Sequence, residues 1–376
     1  MSERSPAEAA GLYLHVPFCR SKCPYCDFAS ITEHSLVARW QATVLEEARR
    51  PEKVFGRFDS LYLGGGTPSV LPLETLERLL RGVRDAFSWM PDVETTLEVN
   101  PEDVTREAAI AWCGLGINRI SVGVQSFHED ELRFLGRRHT AQQARRAVEL
   151  VREHGPENVG LDLMYGFAGQ QRARWRATLA AAIAFEPAHL SCYMLTIESG
   201  TELGRWVADG SVRTLSERLE RAFFLDTAEE IRSRGYVHYE ISNFARDLSK
   251  RSRHNQKYWR HVPTLGLGPS AHSYCDRARW WNVDDVSEYV SRGETAGDVR
   301  DGCESLTAKQ IQLETLFLGL RTANGVANDF LHTLPNGVAT VAVLVREGLL
   351  VAEGDRVVPT LDGFALADGL PLRFEL

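Results

Sequence analysis

The sequence contains no apolar run that approaches the about 18 residues of a membrane-spanning helix. Its first residues, Met1–Ala10, are polar and lack the apolar stretch of a signal peptide. Basic residues are outnumbered by acidic ones, 43 to 51, so the chain has no basic excess of the kind that nucleic-acid-binding proteins use. These absences predict a cytoplasmic protein without a transmembrane segment that does not bind nucleic acid.

Cysteine is scarce and unevenly placed. There are seven cysteines, an odd number, which does not suit a disulfide framework in a reducing compartment. Three of them, Cys19, Cys23 and Cys26, are crowded into one short segment, whereas the other four are far apart. Such a cluster in a cytoplasmic protein predicts a metal site.

In the first half of the chain, short β-rich runs alternate with amphipathic helices. The predicted strands are Gly11–Val16, Asp59–Leu63, Thr95–Val99, Arg119–Val124, Val159–Leu163 and Leu190–Leu195. The predicted helices include Leu36–Arg49, Leu73–Phe87, Ala141–Glu153 and Ser216–Arg234. This alternation predicts a parallel α/β sheet, which is either doubly wound or an incomplete barrel.

We expect three regions along the chain. Residues 1–235 carry the α/β unit, and residues 236–305 form an irregular segment, rich in aromatics and histidine, that covers it. Residues 306–376 form a small α+β module, with helices over Lys309–Leu320 and Val338–Glu347 and a hairpin that turns at Glu353-Gly354-Asp355. Helices followed by a hairpin are typical of a winged-helix-like module.

The three clustered cysteines have the spacing C-x3-C-x2-C directly after the first strand. A [4Fe–4S] cluster needs four ligands, so three cysteines leave one iron open to a non-protein ligand. A cluster of this kind, with the open iron chelated by S-adenosylmethionine (SAM), splits that cofactor reductively and releases a carbon radical. The alternative is a structural zinc ion with His15 or a distant residue as fourth ligand, although no second C-x2-C pair is present.

Further polar and glycine-rich motifs follow the predicted strands. Gly64-Gly65-Gly66-Thr67-Pro68 comes after the second strand, where glycines allow close approach of a ligand and donation of N–H groups to its carboxylate. Polar side chains also stand at the ends of the third to sixth strands: Glu98, Gln125, Asp162 and Tyr193. In a barrel, these ends meet at the face where active sites lie.

Together these motifs resemble the radical SAM superfamily, in particular the subgroup that contains oxygen-independent coproporphyrinogen III oxidases and haem chaperones. The resemblance implies a partial (β/α)6 TIM-like barrel over residues 1–235, with a [4Fe–4S] cluster held by Cys19, Cys23 and Cys26. It also implies that SAM is bound by the positions matching the family's motifs, which are Tyr13, Tyr25, Gly65, Gly66, Thr67, Glu98, Gln125, Arg137 and Asp162.

Two features bear on the choice within that subgroup. The oxidases carry a further cysteine two positions after the third one, where this chain has Phe28, and a longer arm than the twelve residues that precede Tyr13. The string His254-Asn-Gln-Lys-Tyr258-Trp259 is similar to a signature of the haem chaperones. An imidazole ligates haem iron and aromatic rings pack on the macrocycle, so His254, Tyr258 and Trp259 form the expected haem site. His272 and Cys275 are further candidate ligands.

The resemblance therefore implies a haem chaperone that binds haem and passes it to haem-dependent proteins such as respiratory enzymes. Reductive cleavage of SAM is compatible with this role, and no catalytic residue is assigned. The alternative is a radical enzyme, similar to the oxidases, that decarboxylates a porphyrinogen propionate. The expected partners are haem and haem-accepting proteins, and a homodimer or peripheral association with a membrane is compatible with this interpretation.

Overall fold

The computed structural model describes residues 8–50, 55–295 and 297–375, so most of the polar segment Met1–Ala10 lies outside the described residues. The strands are β1 (Ala10–Val16), β2 (Phe58–Gly65), β3 (Trp89–Val99), β4 (Arg119–Gln125), β5 (Asn158–Tyr165), β6 (His189–Met194), β7 (Val237–Glu240), β8 (Asn243–Ala245), β9 (Thr264–Leu267), β10 (His272–Cys275), β11 (Ala278–Asn282), β12 (Arg300–Ser305), β13 (Val326–Ala327), β14 (Leu350–Glu353) and β15 (Arg356–Pro359). The α-helices are α1 (Val37–Ala48), α2 (Leu73–Ala86), α3 (Arg106–Gly114), α4 (Glu129–Phe134), α5 (Ala141–His154), α6 (Arg172–Ala184), α7 (Glu202–Ala208), α8 (Glu217–Ser233), α9 (Arg253–Trp259), α10 (Val286–Thr295), α11 (Ala308–Gly319), α12 (Asn328–His332), α13 (Gly337–Arg346) and α14 (Leu361–Phe364). Among the described residues, no helix combines the length and the apolar character needed to cross a bilayer.

The first six strands form the expected incomplete barrel. β1 to β6 are hydrogen-bonded in chain order, and each neighbouring pair is parallel. Parallel strands are covered on both faces and so read as apolar runs; in β1, for example, Leu12, Leu14 and Val16 are fully buried. The α/β fold class is therefore confirmed, and chain order selects the barrel over the doubly wound sheet.

The sheet continues beyond the barrel strands on both sides. β8 and β7 extend it antiparallel beyond β6, while β9 pairs parallel with β1 and is followed by antiparallel β10, β11 and β12. The expectation that residues 236–305 are irregular is therefore wrong. Most of these strands have only three to five residues, which is too short to show a period-two pattern in the sequence.

The C-terminal region has its own hydrophobic cluster, which includes Leu316, Leu344 and Val357. Helices α11 to α13 pack with a three-stranded antiparallel sheet in the order β13-β15-β14. The predicted hairpin joins β14 to β15, with Gly354 in the left-handed region at φ 61°. The arrangement has the helices and the hairpin expected for a winged-helix-like module, and the proposed boundaries of the three regions remain predictions.

Candidate functional site

A cavity of about 540 Å³ lies at the carboxyl ends of the barrel strands. All three clustered cysteines line it, on the loop that follows β1. Backbone hydrogen bonds hold this loop, since the N–H of Cys19 donates to the Ile31 carbonyl at 2.9 Å and that of Cys26 to the Cys23 carbonyl at 3.1 Å. The cysteines thus face the same space as the polar strand ends.

Polar groups surround the cysteine sulfur atoms. The Thr67 hydroxyl donates to Cys19 Sγ at 3.4 Å, and Arg137 Nη1 donates to Cys23 Sγ at 3.8 Å. Burial raises the pKa of the Cys19 and Cys26 thiols. Hydrogen-bond donors and a nearby cation favour the thiolate form that binds iron. The donor set therefore fits an iron–sulfur cluster.

The same residues fit a single zinc ion less well. Within the described ranges, no three His, Cys, Asp or Glu side chains are grouped so as to hold one metal ion. Cluster cysteines bind different irons and need not converge on one point. His15, the suggested fourth zinc ligand, has Nε2 2.8 Å from the Ala29 carbonyl and Nδ1 3.1 Å from the Tyr13 hydroxyl, so both ring nitrogens are engaged.

The glycine-rich loop after β2 passes directly against the end of β1. Gly65 has φ 104°, and a Cβ atom on Gly66 would lie 2.9 Å from the carbonyl oxygens of Val16 and Phe18. The N–H groups of Gly66 and Thr67 donate to these same two carbonyls at 2.8 Å. The N–H groups of Gly66 and Thr67 are therefore engaged within the protein, and contact of this loop with SAM stays a prediction. Glycine is required because the two strand ends approach so closely.

Two half-buried acidic residues, Glu98 and Asp162, form the acidic side of the cavity. The Tyr62 hydroxyl donates to Glu98 Oε1 at 2.6 Å, and the Ser121 hydroxyl lies 2.9 Å from Asp162 Oδ1. Burial raises the pKa of Glu98 to about 7 and also raises that of Asp162. A cationic ligand would favour their ionised forms, and SAM carries both an ammonium and a sulfonium group.

Gln125 and Arg137 face the cavity from the end of β4 and the loop after α4. Gln125 has φ 62°, which is rare for a residue with a side chain, and its Oε1 is buried without a hydrogen-bond partner among the described residues. Arg137 Nη2 donates to Asn100 Oδ1 and to the Gly123 carbonyl, whereas the adjacent Arg138 is exposed. A strained residue with an unpaired buried oxygen marks a place for a ligand group.

The cavity brings together most of the side chains expected to bind SAM. Those that line it are Tyr25, Gly65, Gly66, Thr67, Glu98, Gln125, Arg137 and Asp162. Tyr13 is not among the lining residues; its hydroxyl lies against His15, deeper in the barrel. Tyr62, Asn100 and Ser121 line the cavity but were missed by the sequence analysis. Tyr62 and Ser121 are polar residues within mostly buried strands, and Asn100 directly follows the end of β3, so each stands where a polar side chain can reach the barrel interior.

His254, the expected haem ligand, lies at the other end of the barrel. Its side chain is buried, with Nδ1 3.1 Å from the Ser60 hydroxyl and Nε2 3.0 Å from the Tyr258 hydroxyl. Its ring stacks on Tyr62 with 5.2 Å between centroids. Burial and the neighbouring Lys257 lower the pKa of His254 to about 3. Iron ligation by His254 stays a prediction that requires one of these hydrogen bonds to break.

The other two residues of the expected haem site face different surroundings. Tyr258 is 40% exposed and lines a second cavity, on the outer side of the sheet extension. Trp259 packs against Tyr239, with 5.9 Å between the ring centroids. The structure therefore does not bring His254, Tyr258 and Trp259 together around one open space.

Comparison with known proteins agrees with this geometry. The model of the radical SAM superfamily matches residues 13–182. Proteins described as "Heme chaperone HemW" from Synechocystis sp. and Mycobacterium tuberculosis are each 34% identical to this chain. The first match covers 84% of this chain and 78% of the relative, and the second covers 97% and 94%. This chain belongs to the HemW family of radical SAM proteins.

A solved structure shows the same fold over almost the whole chain. Coproporphyrinogen III oxidase (HemN) from Escherichia coli superposes with a TM-score of 0.82 and is 20% identical, covering 99% of this chain and 91% of that one. At this identity the likeness concerns the fold alone. Membership of the HemW family, in turn, implies a [4Fe–4S] cluster and SAM, which suit the cysteines and the acidic cavity described above.

Proposed function

We propose that this protein is a cytoplasmic haem chaperone, which binds haem and delivers it to haem-dependent proteins such as respiratory enzymes. The observation that carries the proposal is the extent of its similarity to proteins named as heme chaperones. The match to the M. tuberculosis relative covers 97% of this chain, so it reaches beyond the cysteine loop and the barrel into the C-terminal module. A shared cofactor domain alone would not produce a match of this length.

The barrel residues have a defined part in this proposal. Cys19, Cys23 and Cys26 would hold the cluster, and the eight expected residues that line the cavity would hold SAM, which supplies a carbon radical on reductive cleavage. Arg137 keeps a positive charge beside Cys23, and Thr67 donates to Cys19, so both stabilise thiolates. Glu98 and Asp162 offer carboxylates to the cationic groups of SAM.

Phe28 supports the chaperone over the oxidase alternative. It occupies the position where the oxidases carry a further cysteine, and its side chain is 65% exposed at the edge of the cluster cavity. A phenyl ring supplies neither a thiolate nor a proton to a substrate there. In this proposal haem is the ligand that the protein carries and not a substrate that it converts. The acceptor proteins, the homodimer and peripheral membrane association stay predictions.

The proposal is tested by an anaerobic titration of cluster-reconstituted protein with ferric haem, followed by Soret absorbance, and by transfer of the bound haem to an apo-haemoprotein. We expect saturable binding of haem at a fixed ratio to the protein, and recovery of acceptor activity that depends on the loaded chaperone. Absence of saturable binding contradicts the proposal. Loss of carboxyl groups from coproporphyrinogen III, detected by mass in the presence of SAM and a reductant, supports the oxidase instead.

A further inference from the structure

A second cavity, of about 800 Å³, lies between the sheet extension and the C-terminal module. One wall is the face of β10 and β11 that carries His272 and Trp281, and the opposite wall is the face of α11 that carries Leu313 and Phe317. Its lining has no residue in common with the cavity that holds the cysteines. Its volume lies within the range of about 300–1,000 Å³ found for sites that bind small organic molecules.

Large apolar side chains are exposed around this cavity. Leu313 is 40% exposed, Phe317 38% and Leu372 78%, and Tyr258 contributes an aromatic ring at 40% exposure. Helix α11 buries Leu316 in the C-terminal module, whereas its residues Leu313 and Phe317 face the cavity. Contiguous exposed apolar surface on a folded protein marks a binding site. The volume and the apolar and aromatic lining suit a large apolar ring system.

The cavity also holds an available imidazole. The His272 ring stacks on Trp281, with 5.8 Å between centroids and 24° between planes, and its side chain is exposed. No hydrogen bond engages its ring nitrogens within the described part of the chain. Partial burial and the neighbouring Arg279 lower the pKa of His272, which keeps the ring neutral, the form that ligates iron. His261, in contrast, has Nε2 3.4 Å from Glu314 Oε2.

We propose that this cavity binds the haem macrocycle, with His272 as the axial ligand to iron and with Tyr258, Trp281 and Phe317 against the ring faces and edge. This inference rests on the proposed function, and it places the iron away from the buried His254. Of the three residues expected at the haem site, Tyr258 lines this cavity, whereas His254 and Trp259 do not. The inference therefore keeps Tyr258 in the haem site. Arg279 lines the same cavity, where it pairs with Glu304 and Glu314, and its guanidinium offers a positive charge to a propionate.

The test compares ferric haem with metal-free protoporphyrin IX on the full-length, cluster-reconstituted protein. We expect His272→Ala to shift the Soret band away from that of an imidazole-ligated haem and to weaken ferric haem binding by about tenfold or more, while binding of protoporphyrin IX changes little. Phe317→Asp, on an exposed wall position, is expected to weaken binding of both compounds because it places a charge in the cavity. His332→Ala, an exposed histidine on α12, is the matched control.

The remaining outcomes separate this inference from the proposed function. If His254→Gln shifts the Soret band and His272→Ala does not, haem still binds but the assignment to this cavity is overturned. A shift caused by His261→Ala alone overturns His272 as the ligand. If the unaltered protein binds no haem at all, the proposed function itself fails. If Phe317→Asp and His272→Ala both leave haem binding unchanged, the macrocycle lies elsewhere and the inference is overturned.

Discussion

The Tyr62 hydroxyl donates a hydrogen bond of 2.6 Å to Glu98, joining two neighbouring strands at the floor of the cluster cavity. The ring of Tyr62 also stacks on His254, so it separates this cavity from the closed end of the barrel. A single side chain thus orients an acidic group of the proposed SAM site and closes the space beneath it. This relationship makes Tyr62 a positioning residue that acts through Glu98.

Replacing Tyr62 by Phe removes this hydrogen bond while keeping the ring. We expect SAM affinity to fall by about tenfold, because the buried Glu98 carboxylate loses its donor and a charged hydrogen bond of this kind is worth about 1.5–3 kcal/mol. Equilibrium binding of SAM to the cluster-reconstituted protein measures the change. Tyr289→Phe, which removes a buried tyrosine hydroxyl from Glu47 outside the cavity, is the control. Equal affinities in the Tyr62 variant and the parent protein would contradict the assignment.

Replacing Cys19 by Ser is expected to abolish the iron–sulfur cluster, because an alcohol is a poor substitute for a thiolate ligand. Visible absorbance together with iron and sulfide content after anaerobic reconstitution checks the prediction. Cys303 is exposed on β12, so Cys303→Ser is the matched control and should reconstitute like the parent protein. A fully reconstituted cluster in the Cys19 variant would falsify the cluster assignment.

Glu47 predicts a pH dependence of stability. This buried carboxyl accepts hydrogen bonds from Tyr289, Gly268 and Asn282, yet burial raises its pKa from 4.5 to about 7. Because the folded state holds the proton more tightly than the unfolded chain, the stabilising contribution is complete below pH 4.5 and is lost as the pH rises through about 7. The loss amounts to about 3 kcal/mol at most.

Urea unfolding of Glu47→Gln and of the parent protein across this pH range isolates the effect. We expect the free energy of unfolding of the variant to fall less steeply with rising pH, since the amide does not titrate. Other buried acids, such as Glu98, contribute equally to both proteins and cancel in the difference. Parallel curves for the two proteins would show that Glu47 does not titrate in this range.

Leu316 tests whether the C-terminal module is a separate unit. It is fully buried in the cluster formed by α11, α13 and the small sheet. We expect Leu316→Ala to destabilise the module by about 2–5 kcal/mol, as a cavity in a packed core does. Hydrogen exchange should then quicken over residues 308–375 and remain slow in β1 to β6. Faster exchange throughout the barrel would instead show that the two parts unfold together.

The sequence predicted the barrel because its strands are long enough to show a pattern. In β1 and β4 large apolar residues recur at every second position and are buried: Leu12, Leu14 and Val16 in β1, and Ile120, Val122 and Val124 in β4. Such a prediction needs only the pattern of residues that are neighbours in the sequence. The cysteine spacing is also a local feature, because three cysteines on one short loop remain close together wherever the fold places that loop.

The short strands between residues 236 and 305 were not predictable in this way. β9 has four residues, and it joins the barrel strands through parallel pairing with β1, more than 240 residues earlier in the chain. The positions of the histidines follow from the same long-range pairing. His254 lies beneath the barrel because α9 packs on β1 and β2, whereas His272 faces outward because it stands on β10 opposite Trp281.

Three cysteines on one loop, acids at the strand ends and a pattern shared with the HemW family can all be recognised from the sequence. These properties depend on residue type and local spacing. Which of His254 and His272 is exposed, in contrast, follows from the tertiary structure. His254 is buried, and both of its ring nitrogens lie within hydrogen-bond distance of hydroxyl groups. His272 instead lines the apolar cavity between α11 and the sheet extension and is exposed. Solvent exposure and hydrogen-bond partners arise from contacts distant in sequence, and so no local pattern records them.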